Sequence, residues 1–263
     1  MSEENSRRDF MKQLSALGIL GAVVAVGVGG TTYLTAGNQL LLRPPAAVDE
    51  DDFMALCVKC GQCLQVCPYD SIILADISEG DGVGTPFIDP FRRGCYLCPL
   101  LPCVLACPSG ALDHHVEDVK KIEMGIAVTP RMDACIAREN KLVSKEMINR
   151  IYRNTRTLTS RELQNYKLED FPDKSDKREL EEKVLQKLDS FEGKACTLCA
   201  DMCPLPNATD AIRMIADVES GGKKPEILEA CVGCGVCVEV CPTSVLSIKP
   251  RATFSEYHKK GRR

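Results

Sequence analysis

The 263-residue sequence predicts an α+β fold of small tandem modules with a helical insertion between them. Three observations predict it. The sixteen cysteines fall mostly into tight sets, each followed directly by proline. Turn-like glycine clusters stand between short apolar runs in the intervals. One long interval, 136–195, is dense in charge and carries apolar residues at helical spacing. The chain has no Trp, seven Phe and six Tyr. A core so poor in aromatics implies that something other than side-chain packing fills part of the interior.

Residues 1–43 read as an export signal rather than as part of the fold. "SRRDFMK" pairs Arg7 with Arg8 and places Phe10 two positions on, with Lys12 ahead of the apolar stretch Leu14 to Val28. That is the twin-arginine pattern. It implies a periplasmic protein with the twin-arginine translocon as a partner. No residue from Gln13 to Leu42 is charged, and Thr35-Ala36-Gly37 is the best candidate for cleavage. Left uncut, this stretch is long enough as a helix to cross a bilayer core of about 30 Å, so a retained membrane anchor stays open.

Residues 44–135 hold two full sets. "CVKCGQCLQVCP" gives Cys57, Cys60, Cys63 and Cys67, and "CYLCPLLPCVLACP" gives Cys95, Cys98, Cys103 and Cys107. The first reads C-x2-C-x2-C-x3-C-P, the run that holds 4Fe-4S clusters in bacterial ferredoxins. Two-residue steps let three thiolates of one loop cap one face of a cubane, and Gly61 lets the backbone pass close to it. The fourth cysteine points away, and in two-cluster ferredoxins it ligates the other cluster. Pro68 and Pro108, like Pro204 and Pro242 of the later sets, suit the first turn of a helix, which predicts a short helix after each set, such as "YDSII" and "SGAL". A hairpin is expected around "EGDGVG" at 79–84.

Residues 196–250 repeat the scheme. "CTLCADMCP" supplies Cys196, Cys199 and Cys203, and "CVGCGVCVEVCP" supplies Cys231, Cys234, Cys237 and Cys241, with a hairpin expected at "ESGGKK", 219–224. The third set is one cysteine short. Cys67 to Cys95 is 28 positions, Cys203 to Cys231 is 28, and Cys107 to Cys135 is 28 again. Cys135 therefore falls where the third set should begin, and "MDAC" there echoes "LEAC" before Cys231. Its expected role is that of the displaced first ligand of that set.

The insertion 136–195 separates Cys135 from its set. Arg138 to Lys167 carries eight Lys and Arg against three Asp and Glu, with helical pieces such as "SKEMINRIYRN" and a capping box from Thr159 to Glu162. Further on, Leu180, Val184, Leu188 and Phe191 form one helical stripe. Two readings stand: a solvated insertion lying on the cysteine modules, or a docking arm for a partner. Residues 251–263 form a basic tail.

Exported cysteines are usually disulfides, but repeated C-x2-C pairs with a following proline are not a secreted disulfide framework. A zinc ribbon wants two C-x2-C pairs, which leaves the third and fourth cysteines of each set unexplained. Sixteen thiolates match four 4Fe-4S clusters with no ligand spare for an open iron, which points to electron relay rather than catalysis. No catalytic residues are assigned, and no dinucleotide, phosphate-loop or hydrolase motif occurs. A net charge of -4, with fourteen acidic against six basic residues over 44–137, argues against nucleic acid as a partner. Whether the sets pair adjacently or nested stays open, because equal spacings do not choose.

The chain resembles the NapG/MauM family of periplasmic ferredoxin-type proteins. The likeness runs through most of Arg7 to Pro250 and is closest in "CVKCGQCLQVCPYDSI", "CYLCPLLPCVLACPSGALD", "EMGIAV" and "ACVGCGVCVEVCP". It implies tandem 2x(4Fe-4S) ferredoxin-like modules with four clusters held by the sixteen cysteines. It also implies electron flow from a membrane quinol-oxidising partner of the NapH type toward a periplasmic reductase or its cytochrome, with nitrate reductase expected. The MauM branch implies an alternative, an electron donor or maturation factor for another periplasmic enzyme. A third reading is the iron-sulfur subunit of a stable membrane oxidoreductase. The insertion departs from the family pattern, in which the first two cysteines of the third set lie a few residues apart.

Overall fold

The computed structural model describes residues 40–80, 82–116, 118–155 and 176–260. Arg7, Arg8, Phe10 and Lys12 lie outside the described residues, as does the Thr159–Glu162 capping box. Among the described residues no helix is long and apolar enough to cross a membrane.

Helices and strands are short and mixed. In chain order they are α1 (Glu50–Leu56), α2 (Gln62–Gln65), β1 (Ile73–Leu74), β2 (Pro86–Phe87), α3 (Pro102–Leu105), β3 (Gly125–Val128), α4 (Lys145–Thr155) and α5 (Asp176–Asp189). These are followed by α6 (Leu198–Asp201), α7 (Ala208–Ala211), β4 (Ile212–Ala216), β5 (Lys223–Ile227), α8 (Val236–Glu239), β6 (Ser247–Pro250) and α9 (Phe254–Lys260). Both expected hairpins are present: β1 pairs antiparallel with β2, and β4 with β5. Residues Ala75–Val83, between β1 and β2, belong to a different compact unit from the strands on either side. There a 3-10 turn, Ile77–Glu79, is closed by a capping box between Asp76 and Glu79.

Each pair of sets is closed by pairing its beginning with its end. Around the first pair, Ala47 bridges Leu112, and Asp113 N-H donates to Ala46 O at 2.7 Å. Around the second, β3 pairs with β6 from Gly125↔Pro250 to Val128↔Ser247. The strand before Cys135 is therefore zipped to the strand after Cys241. Residues 125–135 fold with the second pair although they precede the insertion.

The insertion leaves and returns at one place. Val143 N-H donates to Lys194 O and Gly193 N-H to Val143 O, each at 2.9 Å, and Leu142 bridges Ala195. This closure brings Cys196 back to the Cys135 loop despite the residues between. The charge pattern left the insertion's apolar contacts open, and they are extensive. Ile148, Ile151 and Tyr152 of α4 are buried, as are Val184, Leu185 and Leu188 of α5 and Phe191 beyond it. Tyr152 Oη donates to Leu185 O at 3.2 Å, and α4 packs on both α5 and α8. Burying each such Ile or Leu contributes roughly 1.5–3 kcal/mol. The insertion's helices thus pack on the cysteine modules, an arrangement that both readings of the insertion allow.

One expectation is corrected. A short helix, α7, does follow Pro204, but none follows the prolines at "YDSII" or "SGAL", and α2, α3, α6 and α8 lie inside the cysteine sets instead. The reason is a left-handed residue three positions after the fourth cysteine: Asp70 (φ 50), Gly110 (φ 73) and Ser244 (φ 50). That turn aims the next amide at sulfur, so Ser71 N-H donates to Cys67 Sγ and Val245 N-H to Cys241 Sγ, both at 3.3 Å. In a continuing helix those amides would bond backbone carbonyls.

Candidate iron-sulfur centres

The sixteen cysteines are all free thiols and gather in fours. Cys57, Cys60, Cys63 and Cys107 line one cavity, here site A. Cys67, Cys95, Cys98 and Cys103 line site B. Site C has Cys203, Cys231, Cys234 and Cys237. Site D has Cys135, Cys196, Cys199 and Cys241. In each site the first three cysteines of one set meet the fourth of its neighbour, which is adjacent pairing, the alternative that sequence spacing left open. Cys135 stands with the two leading cysteines of the set it was expected to complete.

The geometry follows from the short helices. Cys63 and Cys67 lie one turn apart at α2, and Cys103 and Cys107 one turn apart at α3, so each turn feeds two cavities. Helix α2 packs on α3 as α8 packs on α6, which sets A beside B and C beside D. Between the pairs, Cys95 N-H donates to Cys234 O at 2.7 Å, joining B to C. The four sites are thus linked in file, A to B to C to D.

Gly94 makes the B–C contact possible. A methyl group on its Cα would lie on the backbone of Val236 and Gly235. Gly94→Ala is expected to cost about 1–3 kcal/mol by forcing these backbones apart, read from denaturation monitored at the visible absorbance.

The cavities hold 330 to 340 Å³ each, measured out to the open mouth, with apolar linings. Burial first, and then the charge of neighbouring thiolates, pushes the Cys63, Cys98 and Cys196 thiols up to about 11 and Cys103 to about 12. Burial also raises Cys95, Cys199, Cys234 and Cys237 well beyond the ordinary thiol range. Thiolates here need nearby positive charge, which iron would provide. Backbone amides already point at sulfur: Leu64 at Cys63, Leu97 at Cys95, Val236 at Cys234, and both Ala127 and Gly233 at Cys231. At Cys107 burial opposes ionisation, yet the amides of Leu112 and Ser109, the Ser109 hydroxyl and the Ala111 amide outweigh it and lower its pKa. Soft donors in fours, set in apolar walls and many of them met by N-H groups, fit a 4Fe-4S group. Among the described residues no three His, Cys, Asp or Glu converge on one point as they would for a single metal ion.

A buried network that the cysteine pattern did not predict spans the B–C contact. Arg93 pairs with Glu239 at 3.1 Å and with Glu181 of α5. Glu239 also accepts from Gly94 N-H at 2.8 Å and Tyr96 Oη at 3.0 Å, and Tyr96 stacks on Tyr69 at 4.4 Å between centroids. The signal was present in "CVEVCP", a lone acid between valines in a buried run.

A fold of paired cysteine quartets closed by short antiparallel strands defines an iron-sulfur electron carrier rather than an enzyme. The chain belongs to the 4Fe-4S dicluster domain family, which matches residues 56–137 and 194–245, over half its length. It is related to the ferredoxin-type protein NapG of Escherichia coli K12, with 28% identity over 253 residues, covering 94% of this chain and 85% of that one. The methylamine utilization ferredoxin-type protein MauM of Methylorubrum extorquens is 28% identical over 250 residues, covering 93% and 88%. MauM of Paracoccus denitrificans is 30% identical over 203 residues, covering 76% and 66%. No solved structure matches. The family match stops at residue 137 and resumes at 194, so nearly all of the insertion lies outside it while Cys135 lies within.

Proposed function

We propose that the protein is an exported four-cluster relay. It carries single electrons from a membrane quinol-oxidising protein of the NapH type to a periplasmic terminal reductase or its cytochrome, with nitrate reductase the leading acceptor. The observation that carries this reading is the file of four cysteine quartets, A to D, linked by shared turns and by the Cys95–Cys234 hydrogen bond. All sixteen cysteines act as iron ligands, Cys135 included. The 4Fe-4S clusters supply one-electron exchange without making or breaking substrate bonds. The chain binds them through thiolate sulfur, keeps water from their faces with Phe53, Leu101, Leu198 and Val245, and holds their spacing through the B–C contact. Amide donation and burial differ from site to site, and both set potential. Arg7, Arg8, Phe10 and Lys12 direct the folded, loaded protein to the twin-arginine route.

A second reading has support from MauM, whose similarity equals that of NapG in E. coli: a donor or maturation factor used while another periplasmic enzyme is assembled. Two measurements separate the readings. Anaerobically purified protein is expected to carry iron and acid-labile sulfide for four clusters, with stepwise EPR redox titration. Omitting it from a reconstituted chain of membrane donor and mature reductase stops electron delivery if it is a relay. Delivery that continues without it identifies a maturation factor.

A further inference from the structure

The first and last cysteine sets share the wording C-V-x-C-G-x-C, yet the fold treats them oppositely. In the last set Val232 is 5% exposed and Val236 is fully buried. A side chain at Gly233 would meet Gly125 of β3, and one at Gly235 would meet Pro90 at 2.7 Å. In the first set Val58 is 65% exposed and Leu56 is 41% exposed. A side chain at Gly61 would meet nothing. Cys60 is the one exposed cysteine of the sixteen. The sequence anticipates this at two positions, where the last set has Gly233 and Val236 and the first has Lys59 and Gln62, both exposed. Val58 and Leu56 are not exchanged in the same way. They leave apolar side chains in water beside an exposed cluster ligand.

Acidic residues predominate along this stretch. Asp49, Asp51 and Asp52 are exposed at the start of α1, while Glu50 is bound to Arg43 and Arg251. Lys59 is the only cation from Val48 to Gln62. Electron-transfer encounters use such surfaces: a small apolar centre over the redox group and a charged rim that steers the partner. Site A is also one end of the file, so its exposed face opens the file to an outside protein.

We infer that the Leu56–Gln62 loop over site A is the port where this protein exchanges electrons with a redox protein whose own exposed centre is apolar and rimmed by Lys and Arg. The inference rests on the relay reading. The test uses full-length, cluster-loaded protein, reduced with dithionite and mixed by stopped flow with a basic c-type cytochrome as probe. Its oxidation rate is expected to fall steeply with salt. Asp51→Lys with Asp52→Lys should lower the low-salt rate about tenfold and remove the salt dependence. Val58→Asp should slow transfer at every salt concentration. Glu139→Lys with Glu146→Lys, the same charge change on exposed residues elsewhere, should leave the rate unchanged. Independently of turnover, a dysprosium chelate in frozen solution should relax the EPR signal of one cluster far more than the others, and that effect should follow site A. Wild-type rates and salt dependence in the Asp51/Asp52 pair, or equal relaxation of all clusters, would overturn the port. A chain whose clusters pass no electron to any acceptor in any variant would overturn the relay reading, and the port with it.

Discussion

Cys135→Ala is expected to yield a protein that folds, exports and keeps three clusters, while iron content falls by about a quarter or one EPR signal converts to another form. The residue stands apart in sequence but not in space. It lines site D with Cys196, Cys199 and Cys241, and no other site includes it. Its loop is held independently of any metal. Arg138, three residues on, donates to the buried carboxylate of Asp217 at 2.6 Å, and Lys223 N-H donates to Ala137 O at 3.0 Å. The backbone at site D should therefore persist when the thiol is gone, and sites A and B should keep their signals. Iron and sulfide analysis with EPR on the purified variant decides the matter. An unchanged content would show that Cys135 is not a ligand, and loss of all clusters would show that the sites do not load independently.

The place of Cys135 beside Cys196 and Cys199 was legible because the spacing within sets and the hairpin between them fix a 28-residue register, which survived an insertion elsewhere. Pairing was not legible, because it depends on which face of a one-turn helix each cysteine presents. Adjacent pairing follows from Cys63 and Cys67 leaving the α2 turn toward different cavities, a fact of three-dimensional packing. Proline misled the placement of helices. Pro68 would tolerate a helix, but Asp70 and Ser244 take the left-handed conformation that turns the next amide to sulfur. Asp and Ser permit that conformation without announcing it, whereas Gly110 in the second set does announce it. The stripe in α5 was legible through its period, and Val184, Leu188 and Phe191 are buried. Its partner α4 was not, since periodicity names a buried face and not what covers it.

The largest effect on stability is expected at Arg93. This side chain is nearly buried, and it is the cation that faces Glu239, whose carboxylate is about as buried as a carboxylate can be. Burial raises the Glu239 pKa, while Arg93, the Gly94 amide and the Tyr96 hydroxyl hold it down. Arg93→Met keeps much of the side-chain volume but leaves the acid without its cation, and should cost about 3–5 kcal/mol. The sign of the pH dependence follows. With its folded pKa raised above 4.5, Glu239 favours folding while protonated, so that contribution is lost as pH rises through the folded pKa. Arg93→Met moves this pKa further up, and its deficit should be largest near neutral pH and shrink as pH falls toward the carboxylate range. Combining it with Glu239→Gln removes the titrating group. The double variant should recover much of the loss and show no such slope, which denaturant melts at several pH values would reveal. Because Glu239 bonds Gly94 directly beside the Cys95–Cys234 contact, the single variant should also weaken spin coupling between clusters B and C while each keeps its own signal. A deficit that is flat with pH, or that the double variant fails to relieve, would mean that Arg93 acts by packing on Tyr96 rather than by charge.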